Sequence, residues 1–318
     1  MTVTFGCSLP TSGALASPEN LRSLAQRAED LGFDSVWVSD HVVVPRQVES
    51  FYPYAPDGVP TFRPDLPYFE PLAALNFLAG CTQRVRLGTH VLILPYRNPV
   101  VTAKTLATLD VLSGGRVILG AGVGWMEEEF LALGLDTYHQ RGAVTDDYIR
   151  LYKELWTKDE PEFHGEHYQV SGVGFEPKPV QKPHLPLWIG GHTGPAIRRA
   201  AQLGDGWMPI GLRPPAILEP EELAVKIARL RTLTVRAGRP EDAVAVCFST
   251  GVAFQDTPGP SRQMVTGRPE QIAADLRQYQ DLGVENFIFN FPGAASAAGI
   301  QESMERFSRE VMPLIPQG

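Results

Sequence analysis

The stretch "VRLGTHVLILPYRNPVVTAKTLATLDVLSGGRVILGAG" (Val85–Gly122) sets a strand, a helix and a strand in succession. Residues 84–94 are rich in Val, Leu and Ile, as a buried strand is. Residues 99–112 read as a helix, and "RVILGAG" (Arg116–Gly122) as the next strand. Strands alternating with helices lie parallel, because a tight hairpin cannot return the chain in the same direction.

The same unit recurs on both sides. Residues 3–9 read as a strand, and helix 18–31 puts Leu21, Leu24, Ala25, Ala28 and Leu31 on one face. Ser17 can cap that helix, Pro18 suits its first turn and Gly32 can stop it. The second strand lies in "FDSVWVSDHVVV" (Phe33–Val44), ahead of helix 70–80. Beyond the central unit come helix 140–157, strand 186–190, helix 195–203, strand 205–210 and helix 219–237. Strand 243–254, helix 269–282, strand 285–291 and helix 299–312 complete the chain. Eight strand–helix units at a period of roughly forty residues predict an α/β fold, a closed (β/α)8 TIM barrel, in one domain over 1–318. A doubly wound open sheet is the alternative, since sequence does not show closure. Three passages exceed tight connections: 42–69, 158–185 and 255–268. They are expected as insertions at the face where strands end, shaping a pocket. A plain surface insertion is the other reading of 42–69.

Bulk properties exclude several classes. A net charge of −8 disfavours binding to nucleic acid or to an anionic membrane. No apolar run is long enough to span a bilayer, and "MTVTFGCSLP" lacks the pattern of a secretory signal. Cys7, Cys81 and Cys247 form neither a disulfide framework nor a CxxC metal pair, so a cytoplasmic protein is expected.

Certain residues break the structural pattern. Asp40 and His41 end the second strand, where active sites of barrels sit. An imidazole there can exchange a proton near neutral pH, and a neighbouring carboxylate can orient it. A satisfied strand-end His is the bland alternative. His90 interrupts an apolar strand, which points to a bulge or a close ligand approach, with simple outward alternation as the alternative. "GAGVGWMEEEF" (Gly120–Phe130) has GxGxG spacing rather than the dinucleotide pattern, and its glycines, Gly122 among them, suit close passage of backbone to a flat ligand. Glu127, Glu128 and Glu129 read as a solvated helix start from which one side chain can face the pocket. In "PLWIGGHTGPAIRRAAQLGDGW" (Pro186–Trp207) a strand ends in Gly190–Gly191 and a helix begins after Thr193, which forms an anion site to which Arg198 adds charge. A ligand-free glycine turn is the alternative. "HGEHY" (His164–Tyr168) is not a metal motif, and Lys104, Lys158, Lys178 and Lys182 do not end apolar strands, so no metal or Schiff-base site is expected.

These motifs, in this order, resemble the luciferase-like monooxygenase superfamily, and within it the branch that uses the deazaflavin coenzyme F420. "LGFDSVWVSDHVV", "VRLGTHVLILPYRNPV", "LDVLSGGRVILGAGVGWMEEEF", "FEPKPVQKPHLPLWIGG" and "AAQLGDGWMP" carry the likeness over nearly the whole chain. The resemblance implies a barrel binding F420, or alternatively FMN, at its C-terminal mouth. It implies that Asp40 and His41 stand beside the reactive ring carbon. A non-proline cis peptide behind the ring maps to His90–Val91, and Gly190, Gly191 and Thr193 map to the segment holding the cofactor phosphate. Sugar-phosphate dehydrogenases of the superfamily carry a catalytic Glu where this chain has Trp125, so glucose-6-phosphate chemistry is not expected; Glu128, one turn on, is the candidate substitute. The expected activity is hydride transfer to or from a small organic substrate, with His41 as acid or base and Asp40 orienting it. The rival readings are a monooxygenase using reduced FMN and O₂, and a flavin-binding protein without turnover. A homodimer is expected from the resemblance.

Overall fold

The computed structural model describes residues 3–60, 62–255, 262–292 and 294–316. Residues 256–261 of the third long passage therefore lie outside the described residues.

Eight parallel strands form the barrel: β1 (Thr4–Ser8), β2 (Ser35–Val38), β3 (Arg86–Thr89), β4 (Val117–Gly122), β5 (Leu187–Gly190), β6 (Gly206–Met208), β7 (Ala245–Gly251) and β8 (Asn286–Asn290). Closure is direct. β3 pairs with β4 through Leu87↔Val117, and β8 pairs back onto β1 through Thr4↔Asn286. The open-sheet alternative is thereby removed. Around the strands run α1 (Pro18–Asp30), α2 (Pro71–Ala79), α3 (Pro99–Ser113), α4 (Glu127–Ala132), α5 (Arg141–Thr157), α6 (Gly194–Leu203), α7 (Pro220–Arg236), α8 (Pro269–Asp281) and α9 (Ala297–Arg306). Among the described residues no helix is long and apolar enough to cross a membrane.

Local signals place the ends of these helices. Ser17 Oγ accepts from Asn20 N at 3.1 Å, as its position before Pro18 predicts. Two differences stand out. The apolar run 84–94 is not one strand: β3 ends at Thr89, the His90–Val91 peptide is cis, and Leu92–Ile93 then pairs separately with β4. The closing helix is also shorter than 299–312, because the backbone widens into a π turn over Phe307–Val311 to bury Phe307 and Val311.

Two indoles fill the barrel. Trp37 and Trp188 lie with ring centroids 5.5 Å apart. The strands beside them give up side chains to make room. A Cβ on Gly88 would sit 2.2 Å from the Trp37 ring, and one on Gly206 would sit 2.5 Å from Trp188. Ile118, Met208, Cys247 and Ile288 complete this plug. The larger core lies between sheet and helices, where Phe5, Phe287, Phe289 and Phe307 pack together. The floor of the mouth is therefore solid, and chemistry is confined to the strand ends above it.

Candidate functional site

β2 delivers Asp40 and His41 to the mouth, both buried. They do not meet each other's needs. Asp40 accepts Ile93 N at 2.8 Å and takes a bidentate contact from Arg97, at 2.6 and 2.8 Å. Arg97 also reaches Glu70 at 2.8 Å. Burial raises the Asp40 pKa, and the Arg97 guanidinium opposes that shift. Asp40 thus ties the end of β2 to the chain just beyond the bulge. The expectation that it orients His41 is corrected.

Glu129 does that work. It is fully buried, and its Oε2 lies 2.5 Å from His41 Nδ1. The same oxygen accepts the Tyr96 hydroxyl at 3.0 Å, while Oε1 accepts Val42 N at 2.6 Å and Val43 N at 3.2 Å. Four donors converge on one carboxylate, which explains how it is tolerated in the interior. With Nδ1 engaged, Nε2 of His41 makes no hydrogen bond to the described residues. Its ring is walled by Phe62, Tyr68 and Trp125, at centroid distances of 4.8, 5.2 and 6.2 Å.

Glu128 anchors the 42–69 loop: its Oε1 accepts Glu49 N at 2.7 Å and Ser50 N at 2.9 Å, while its Oε2 is buried without a hydrogen-bond partner among the described residues. Three consecutive Glu residues point in three directions on a helix. The sequence offers no signal to choose among them, and the docking of α4 turns Glu129 inward.

The loop 42–69 covers the mouth with aromatics. Tyr52 lies 5.0 Å from Trp125 and 5.9 Å from both Tyr54 and Phe62. Phe51 instead lies outside, 63 % exposed, and Phe69 packs against the core.

The bulge forms the opposite wall. His90 continues the inward series of β3 and meets Trp37 edge-on at 6.4 Å, so outward alternation is excluded. Val91 takes the space that side chains on two glycines would need. A Cβ on Gly122 would lie 2.3 Å from Val91 Cγ2, and one on Gly190 would lie 2.6 Å from Val91 Cγ1. The close approach at these glycines is to Val91 itself, which corrects the expectation of direct approach to a ligand. Burial first, and Arg213 second, push the His90 pKa down to about 4. The unfolded chain therefore takes up this proton first as pH falls. The His90 contribution to stability is present above about 6.5 and is lost as pH falls towards about 4. His90→Gln should flatten the fall in melting temperature across that window relative to the parent protein; equal slopes would show that the fold does not hold this imidazole neutral.

At the far side, Gly191 has φ +93° and Trp207 Nε1 donates to its carbonyl at 2.7 Å. α6 begins after Thr193, whose side chain does not cap it. His192 Nδ1 is buried without a partner. Arg229 Nη2 would lie 3.3 Å from a Cβ on Gly194. Arg198, the cation expected from sequence, is exposed, and Arg229 of α7 lies against the turn in its place. Its approach comes from another helix and left no local mark in the sequence.

A model of the luciferase-like monooxygenase family matches residues 1–260. The chain belongs to that family. An uncharacterized protein of Mycobacterium tuberculosis is 37% identical over 216 residues, covering 68% of this chain and 72% of the relative. An F420-dependent glucose-6-phosphate dehydrogenase of Amycolatopsis mediterranei is 28% identical over 336 residues, covering 93% and 94%. Among solved structures, the coenzyme F420-dependent tetrahydromethanopterin reductase of Methanopyrus kandleri superposes with a TM-score of 0.77 at 17% identity, covering 99% of this chain and 100% of that one. For this luciferase-like monooxygenase family member, that likeness shows the barrel. The pairing of His41 with Glu129 rests on its own geometry.

Proposed function

We propose that this chain transfers a hydride between coenzyme F420 and a small organic substrate at the barrel mouth. The observation that carries the reading is the buried His41–Glu129 pair, set between the aromatic loop and the bulge. A bound deazaflavin supplies the two-electron chemistry. The residues present fit such a group. Val91, backed by Gly122 and Gly190, would support a flat ring. Gly191, Thr193 and the orphaned His192 Nδ1 would satisfy a phosphate, with Arg229 balancing its charge. His41 would give or take a proton at the substrate heteroatom through Nε2, since Glu129 occupies Nδ1 and sets the ring's orientation. The aromatic loop would keep water from that exchange. The preference for F420 over FMN draws on the Amycolatopsis relative, whose likeness runs the length of both chains.

Titration of the purified protein with F420 and with FMN, side by side, tests the assignment. The expected result is tighter binding of F420, and anaerobic hydride exchange with one member of a panel of alcohols and ketones. Tighter FMN binding with oxygen-dependent substrate oxidation would replace this reading with a reduced-FMN monooxygenase. Cofactor binding with no turnover across the panel would leave a flavin-binding protein.

A further inference from the structure

The chain just beyond the bulge reaches both acids beside the imidazole. Ile93 N and the Arg97 guanidinium go to Asp40, and the Tyr96 hydroxyl donates to Glu129 at 3.0 Å. Tyr96 ends the single helical turn Leu94–Tyr96, a short step along the chain from Val91 of the bulge.

Tyr96 is placed to act on His41 without touching it. Its hydroxyl lies on Glu129 Oε2, the same oxygen that stands 2.5 Å from His41 Nδ1. The phenol ring is buried and meets Phe130 edge-on at 4.9 Å, which fixes where the hydroxyl points. Burial first, and the Glu129 charge second, raise the Tyr96 pKa, so the hydroxyl stays a donor. A hydrogen bond given to a carboxylate stabilises its charged form and weakens its hold on a further proton. His41 and Glu129 are close enough that a proton taken up there belongs to the pair. The donor on Oε2 therefore bears on the imidazole as well.

Neighbouring groups leave this effect standing. Asp40 is paired with Arg97, which also holds Glu70. Glu128 faces the loop backbone, and Tyr68 lies edge-on to the His41 ring with its hydroxyl 2.7 Å from Ser39 Oγ. Phe62 and Trp125, the other rings against His41, carry no charge.

We infer that Tyr96 is a positioning residue for proton exchange: through Glu129 Oε2 it aligns the His41 ring and loosens the pair's hold on its proton, so that Nε2 can release a proton as well as accept one. This rests on the hydride-transfer reading above.

Tyr96→Phe keeps the ring and removes the hydroxyl. Without that donor the pair should hold its proton more tightly. The titration midpoint of the His41 ring should then move to higher pH by about one unit, and the pH profile of turnover should move with it. The ring is followed by NMR on the protein alone, carrying carbon-13-labelled histidine, with its signal identified by its loss in His41→Ala. Incorporation of 3-fluorotyrosine at position 96 supplies a stronger donor of nearly the same shape, and should move the midpoint to lower pH. A residue that merely fills space would not produce opposite displacements. A midpoint unmoved by both replacements, a downward shift in Tyr96→Phe, or a His41 ring that shows no titration in any of these proteins would each overturn the inference. So would slower turnover in Tyr96→Phe with an unmoved midpoint, which would make the hydroxyl structural only. Opposite displacements in a protein that binds neither F420 nor FMN would sink the hydride-transfer reading and leave the control of the pair by Tyr96 standing.

Discussion

Replacing His41 with Ala should lower turnover by about 10²–10⁴-fold and leave cofactor affinity nearly unchanged. On the proposed reading the imidazole exchanges the proton, whereas the cofactor's ring and phosphate would be held by Val91, Gly191, Thr193 and Arg229. Glu129→Gln should cause a loss of the same order by a different route. A Gln amide presented to Nδ1 offers a donor where the carboxylate accepts, so it favours the tautomer with its proton on Nε2 and removes the free lone pair from the mouth. The two side chains act as one unit, so the double variant should cost little more than the larger single loss. Single-turnover rates of cofactor oxidation or reduction, measured beside cofactor dissociation constants, check all three. An equal fall in rate and in cofactor affinity for His41→Ala would argue against proton transfer. Fully additive losses would argue that Glu129 does not act through His41.

Gly120→Ala should be the most damaging small substitution in the barrel. The added Cβ would sit 1.9 Å from the Thr89 carbonyl oxygen and 2.9 Å from Met208 Sδ. The backbone has nowhere to go. Thr89 Oγ1 donates to the Gly120 carbonyl at 2.8 Å and accepts its N–H at 3.0 Å, so moving β4 away from the clash breaks a buried pair of hydrogen bonds. Overpacking of this kind costs about 3 kcal/mol. The melting temperature should fall by roughly 5–10 °C. Gly174→Ala is the control, because nothing lies within 4 Å of its added Cβ and it is exposed. Thermal unfolding of both variants checks the contrast; equal melting temperatures would mean that β3 and β4 are less tightly joined than described.

Much of this architecture is legible in local pattern. The helix 18–31 is read from its spacing of Leu and Ala and from Ser17 and Pro18, and α1 forms there because those residues satisfy its face and its first turn. Regular alternation of apolar runs and amphipathic helices forces parallel pairing, and parallel pairing over eight units favours closure. His41 stands out for the same reason: an ionisable group follows four residues of a strand that is buried throughout. The bulge is legible only as a polar residue in an apolar run, and the comparison with a family motif supplied its position.

By itself, then, the sequence determined the succession of strands and helices, the parallel barrel that succession favours, and the strand tip bearing the imidazole. Tertiary structure alone decided which partners meet there. Glu129 lies 88 residues from His41, and Arg213 lies 161 from Tyr52. The physical reason is that strand and helix repeats record which face of an element is buried, within a few residues. They carry no record of which loops the closed barrel brings together. Among Glu127, Glu128 and Glu129 the composition is identical, and only the angle at which α4 docks makes one a partner of His41, one an anchor for the loop, and leaves the third at the surface.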